Sequence, residues 1–139
     1  MRQRVPVSSI MTSTIVSLNL TDSLTDAEKL FKMHKIRHLP VVSGHKLVGI
    51  LSYTDLLKIS LADTDEDDNI VDTTVYNMFT LEQVMVKNVT TIQADDNIKD
   101  AAEILVKKDF RALPVLDGQV LVGMLTTTDL IKYLLNQYD

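Results

Sequence analysis

The amino-acid sequence predicts an α/β (α+β) protein made of two pseudo-symmetric βαββα units. Three observations predict it. A gapless internal repeat is offset by 74 residues (Met11 to Met85, 85 − 11 = 74), short β-branched runs alternate with capped helical stretches, and a glycine turn recurs at the same place in each copy. From Ile10 to Lys58 the copies share 17 identities in 49 positions. Among them are Asp26-Ala27 with Asp100-Ala101 and Arg37-x-Leu39-Pro40-Val41 with Arg111-x-Leu113-Pro114-Val115. A solenoid needs about three or more stacked repeats, so two copies specify a single two-fold module. Any site in one copy must be sought in the other.

Each copy opens on a predicted strand, Ile15-Val16-Ser17-Leu18 or Val89-Thr90-Thr91-Ile92, short and rich in β-branched residues. Ser23-Leu24-Thr25-Asp26 and Asn97-Ile98-Lys99-Asp100 then place an N-cap residue three positions before a carboxylate, a capping-box-like helix start. Leu24, Ala27 and Phe31, and Ile98, Ala101 and Leu105, recur at helical spacing and mark the buried faces. Leu39 to Val42 and Leu113 to Leu116 read as apolar strands, each with a proline near its start, where a missing amide costs least. Ser43-Gly44 and Asp117-Gly118 supply the hairpin turns. The returning strands are Lys46 to Leu51 and Val120 to Leu125, and closing helices begin near Thr54-Asp55 and Thr128-Asp129.

The organisation is therefore 7–60 for the first unit, 61–80 for an acidic linker and 81–137 for the second unit. The linker run Asp63-Thr64-Asp65-Glu66-Asp67-Asp68 has the alternating acids of a calcium loop. However, Asp68 stands where such a loop needs glycine and Thr74 where it needs glutamate, so it reads as a solvated acidic loop. Ile70 to Phe79 is apolar enough to pack back on the module as a short helix.

Composition narrows the function classes. With 45% hydrophobic, 24% charged and 5% aromatic residues, the chain is an aliphatic globular protein long enough for a real core. A net charge of −5 argues against nucleic acid as a partner, since such binding neutralises phosphates with Lys and Arg. It leaves room for a small anion held by helix ends and a few cations. The absence of cysteine excludes disulfides, thiolate metal sites and thiol nucleophiles. The first residues lack the apolar core of a signal peptide, and no apolar run reaches the roughly 18–20 residues of a membrane span. A cytoplasmic location and no membrane association are the expectation.

The strings Gly49-Ile50-Leu51-Ser52-Tyr53-Thr54-Asp55 and Gly123-Met124-Leu125-Thr126-Thr127-Thr128-Asp129 carry the clearest chemistry. Glycine lets the backbone pass close to something, a hydroxyl ends the strand, and a carboxylate follows in the first helical turn. That carboxylate suits a ribose diol, and the hydroxyls and amides beside it suit phosphate oxygens. The same Thr-Asp pairs also serve as ordinary helix caps. The three histidines share no metal-ligand spacing with acids, and no nucleophile–base pair is legible, so neither a metal site nor a catalytic residue is expected.

Taken together, the 74-residue duplication, the βαββα order, Arg-x-Leu-Pro-Val and Gly-h-h-[Ser/Thr]-x-x-Asp (h, hydrophobic) resemble a tandem pair of CBS domains, a Bateman module. The resemblance covers nearly the whole chain. It implies two units packed through their sheets, frequent pairing into a disc-like homodimer, and adenosine-containing ligands in clefts between units.

Carried over by position, it implies that Asp55 and Asp129 bind ribose hydroxyls. Ser52, Thr54, Thr126 and Thr128 would then lie near ribose or phosphate, and Ser17 and Thr91 beside the adenine. Backbone at Arg37, His38 and Leu39 and at Arg111, Ala112 and Leu113 would flank the base or phosphate path. Arg37 and Arg111 are either phosphate cations or surface ion-pair partners, and His38 either a phosphate contact or a packing residue. The expected function is a non-enzymatic sensor that takes AMP, ADP, ATP or S-adenosylmethionine and acts in trans on a protein partner. A ligand-free dimerisation or interaction module is the alternative.

Overall fold

A computed structural model describes residues 4–62 and 73–138. Packing divides them into two compact units, Val16–Val89 and Met1–Ile15 with Thr90–Asp139. These spatial units cut across the repeat. The opening segment of each copy is packed with the strands of the other.

The unit Val16–Val89 runs β1 (Leu18–Asn19), α1 (Leu24–His34), β2 (His38–Ser43), β3 (Lys46–Ser52), α2 (Tyr53–Ala62), α3 (Thr73–Asn77) and α4 (Leu81–Val84). β2 lies between β1, its parallel partner, and β3, its antiparallel one. Leu18, Leu39, Val41, Leu51 and Leu56 are fully buried and form one core with Leu24, Ala27 and Phe31 of α1. The three α1 residues are those the helical spacing selects. Ser23 caps α1 by accepting from the Asp26 amide at 3.1 Å while its own amide donates to Asp26, so the expected capping box is made. These bonds hold the Asp26 carboxyl below the usual carboxylate range.

The first strand is a correction. Leu18 and Asn19 alone pair with Val41 and Val42, and Ile15 to Ser17 stay outside the ladder. β-Branched content marks residues that suit a pleated surface, but it does not make them pair: β2 reaches back to His38, yet the chain joins its edge only at Leu18. The turn is shifted too. Ser43 pairs with Lys46, so the two loop residues are Gly44 and His45, with Gly44 at φ 65°. Glycine first with a positive φ is the arrangement of a type II′ hairpin.

The apolar part of the linker does fold back, as a helix from Thr73, whereas the acidic run 63–68 lies outside the described residues. Tyr76 of α3 is buried against α1, and its hydroxyl donates to the Glu28 carboxylate. Burial first, and then that carboxylate, raise the Tyr76 phenol well above its ordinary 10.0. α4 has its own capping box, Thr80 with Gln83. It delivers Met85 onto Gly49 and Val86 into a two-way backbone bridge with Ile50.

The other unit repeats this plan. A single 3-10 turn, Val7–Ser9, stands where α4 stands above, and β4 (Ile92–Gln93), α5 (Ile98–Lys108), β5 (Ala112–Asp117), β6 (Val120–Thr126) and α6 (Thr127–Asn136) follow. Val7, Ala101, Leu113, Val115 and Leu125 are fully buried, and Leu105 and Ile92 nearly so. Ile98 only packs partly against them. β4 is as short as β1, pairing Ile92 with Val115 and Gln93 with Leu116, so the expected strand from Val89 is again reduced. Its hairpin turn is likewise displaced to Gly118 and Gln119. The expected Asn97–Asp100 capping box is not made. Asn97 Oδ1 instead takes the amides of Lys99 and of Val5, both at 3.4 Å, because the N-terminal segment is laid against this corner.

Candidate functional site

The site residues converge where β3 passes into α2 and where β6 passes into α6. In the first repeat the ladder pairs His38 with Ser52, and the Tyr53 amide donates to the Arg37 carbonyl at 2.8 Å. The antiparallel register thus sets Arg37-His38 beside Ser52-Tyr53-Thr54-Asp55. Ser52 Oγ accepts from the Asp55 amide at 3.0 Å, which satisfies one of the helix's free donors. The Asp55 carboxylate is part exposed, and Lys58 Nζ lies 4.0 Å away. At that distance and exposure the ion pair contributes little.

In the second repeat Ala112 pairs with Thr126, and the Thr127 amide donates to the Arg111 carbonyl at 3.0 Å. Here Thr126 and Asp129 form a full capping box, with both bonds at 3.0 Å. A further donor arrives from Thr12, whose hydroxyl lies 3.2 Å from each Asp129 oxygen.

Of the residues picked out in the sequence, His38, Ser52 and Asp55 come together, as do Ala112, Thr126 and Asp129. Thr54 and Thr128 sit exposed in the first turns of their helices, and Arg37 and Arg111 are exposed beside them. Ser17 and Thr91 stand apart, each directly before the first strand of its unit, which lies across β2 or β5 from the strand-end hydroxyl. His38 is half-buried. Burial lowers its pKa below 6.5, opposed by Asp55 and reinforced by Arg37. That shift favours the uncharged imidazole in the free protein at neutral pH.

The first repeat also carries an open cavity of about 250 Å³, lined by Phe31, Lys32, Lys35, Ile36, Arg37 and Tyr53. Two of these residues, Phe31 and Tyr53, meet edge to face with centroids 5.3 Å apart. The matching positions in the second repeat are Leu105, Val106, Asp109, Phe110, Arg111 and Thr127. Three cations thus become one cation and one acid. The repeat alignment held this contrast, and it also held the mismatch between Thr12 and Val86. Lys32, Lys35 and Thr12 all lie outside the Gly-to-Asp strings. Among the described residues no group of three His, Asp or Glu side chains is placed to hold a metal, and no helix is long and apolar enough to cross a membrane.

The model of the CBS domain matches residues 7–62 and 81–136. The chain belongs to the CBS-domain family. The uncharacterized protein MJ1225 of Methanocaldococcus jannaschii is 31% identical over 132 residues, covering 91% of this chain and 46% of that protein. The first curated relatives matched are all longer, this chain spanning 46%, 23% and 23% of them. Among solved structures, the CBS domain pair of MJ0100, in complex with 5-methylthioadenosine and S-adenosyl-L-methionine, superposes with a TM-score of 0.79 at 27% identity. That match covers 97% of this chain and 99% of that one. CBSX2 in complex with AMP gives 0.81 at 25% identity, covering 96% and 98%. This CBS pair therefore has the fold of proteins solved with adenosine compounds bound.

Proposed function

We propose that this CBS pair is a non-catalytic cytoplasmic sensor that binds adenosine-containing ligands at its two strand-end sites and thereby modulates a protein partner in trans. The observation that carries the reading is a part-exposed carboxylate, Asp55 or Asp129, held beside a strand-end hydroxyl at the start of a helix in both units. A carboxylate so held accepts both hydroxyls of a ribose diol, and the neighbouring helix amides and exposed threonines suit phosphate or another polar substituent. The solved relatives bound to AMP, 5-methylthioadenosine and S-adenosylmethionine support the ligand class. Regulation follows if the ligand favours one conformation of the module over another, shifting the partner's affinity by the same differential free energy.

Titration calorimetry of the full chain with AMP, ADP, ATP and S-adenosylmethionine tests the reading. Binding by at least one, lost stepwise in Asp55→Asn and Asp129→Asn, is the expected result. No heat from any of them at millimolar concentration overturns it.

A second reading, a dimerisation or interaction module, draws on the exposed apolar side chains of α5 and α6. Val106, Ile131, Leu134 and Leu135 are 84%, 55%, 56% and 63% exposed. Such a face favours a homodimer. Light scattering of the wild type against Ile131→Glu/Leu134→Glu measures it, and a monomer in both cases removes it.

A further inference from the structure

We propose that Thr12 is a positioning residue for Asp129, and that it makes the two ligand sites unequal by pre-setting the second-repeat carboxylate while leaving Asp55 to be ordered by the ligand. The proposal rests on the reading of these sites as adenosine sites and assigns which of them binds more tightly.

The two repeats provide an internal control. Thr12 and Val86 are equivalent positions (12 + 74 = 86), as are Met124 and Ile50 (50 + 74 = 124). Both make the same two-way backbone bridge. Thr12 N–H to Met124 O is 2.8 Å and its return bond 2.9 Å, against 2.9 and 3.0 Å for Val86 and Ile50. The preceding methionine packs on the equivalent glycine in each case, Met11 on Gly123 and Met85 on Gly49. The backbone bridge is therefore common to both repeats, and at positions 12 and 86 the side chain decides whether a donor is present.

Thr12 brings a hydroxyl to 3.2 Å from both Asp129 oxygens, whereas Val86 has nothing to donate. Asp129 also accepts the Thr126 amide at 3.0 Å, so two donors from two segments of chain fix its orientation. The Asp55 carboxylate accepts no hydrogen bond among the described residues; Lys58 of its own helix lies 4.0 Å away, and the His38 imidazole is near enough to feel its charge.

A carboxylate has about four lone-pair sites, so two donors orient Asp129 without exhausting it for a diol. Binding at Asp55 must also immobilise the acceptor, and that cost lowers affinity about threefold to tenfold relative to a pre-set group. The N-terminal segment, through a residue outside the strand-end strings, thus sets the difference between the sites.

Titration calorimetry of the full chain with AMP tests this in wild type, Thr12→Val, Thr12→Ser and Val86→Thr, each first shown to melt cooperatively. Wild type should show two classes of site, and Asp129→Asn should abolish the tighter one. Thr12→Val, which keeps the shape and loses the donor, should weaken the tighter class about threefold to tenfold. Thr12→Ser should keep wild-type affinity, and Val86→Thr should tighten the weaker class. If Thr12→Val leaves two-site binding unchanged, or Thr12→Ser is as weak as Thr12→Val, this inference fails alone. If wild type binds neither AMP, ATP nor S-adenosylmethionine, the adenosine reading fails and this assignment fails with it.

Discussion

Gly49 and Gly123 are equivalent in sequence, yet the structure gives them different tolerance for a single methyl group. The three atoms nearest a Cβ on Gly49 would be Met85 Sδ at 2.5 Å and Met85 Cγ and Cε at 3.0 Å, all of one flexible side chain. A Cβ on Gly123 would meet Met11 Sδ at 2.6 Å and also the Thr12 carbonyl oxygen at 2.9 Å. That oxygen accepts the Met124 amide, so it cannot withdraw without breaking the bridge that seats the N-terminal segment.

Overpacking of this kind costs about 1–3 kcal/mol. Gly49→Ala belongs at the lower end because Met85 can adopt another rotamer. Gly123→Ala belongs at the upper end because backbone must move. Urea denaturation followed by circular dichroism gives both values, and a double-mutant cycle separates the causes. In a Met85→Ala background most of the Gly49→Ala penalty should be relieved, no backbone atom beyond its chain neighbours standing closer than 3.0 Å. In a Met11→Ala background a substantial part of the Gly123→Ala penalty should persist, since the Thr12 carbonyl is still there. Equal penalties for the two glycines, or full relief of Gly123→Ala by Met11→Ala, would refute the reasoning.

Other outcomes follow from named groups. The His38 imidazole should titrate below 6.5 by NMR, lower still in Asp55→Asn and higher in Arg37→Gln, because Asp55 raises and Arg37 lowers it. Since its folded pKa is depressed, the stability it contributes is present above about pH 6.5 and is lost as pH falls, so His38→Ala should flatten stability between pH 7 and 5. The Tyr76 phenol has the opposite sign of shift. Stability should be full below pH 10.0 and decline as pH rises beyond it, and Tyr76→Phe should remove that slope while costing about 1 kcal/mol through the lost bond to Glu28. Lys35 ends α1 at φ 53°, a left-handed conformation that glycine adopts more readily, so Lys35→Gly should raise the denaturation midpoint by about 0.5–1 kcal/mol of stability.

What the sequence made legible was local or duplicated. The Ser23–Asp26 cap and the Leu24, Ala27, Phe31 stripe depend on spacing within one helix, and both stand as read. The β2–β3 hairpin depends on a turn and two apolar runs that are neighbours in the chain, and its glycine position erred by one residue. The length of β1 was not legible, because β-branched content does not say where the chain leaves the sheet edge, and only Leu18 and Asn19 pair although β2 reaches back to His38. Asn97 caps α5 as read, but the box with Asp100 is not made, and a Val5 amide 92 positions earlier in the chain, which no local pattern reveals, shares the acceptor.

The site shows the limit most clearly. Comparing the two Gly-to-Asp strings exposes Tyr53 against Thr127, and the Arg-x-Leu-Pro-Val runs expose His38 against Ala112, because each run is contiguous. The residue that touches Asp129 comes from 117 positions earlier in the chain, whereas its counterpart Val86 follows Asp55 by 31 positions (86 − 55 = 31), because the repeats exchange their opening segments. A repeat alignment lists Thr12 opposite Val86 as one mismatch among many. Only the exchanged packing says that this mismatch faces a carboxylate. A difference between the two sites therefore belongs to the segment each repeat lends to the other, and substitutions in residues 5–12 should alter ligand affinity at Asp129 before they alter it at Asp55.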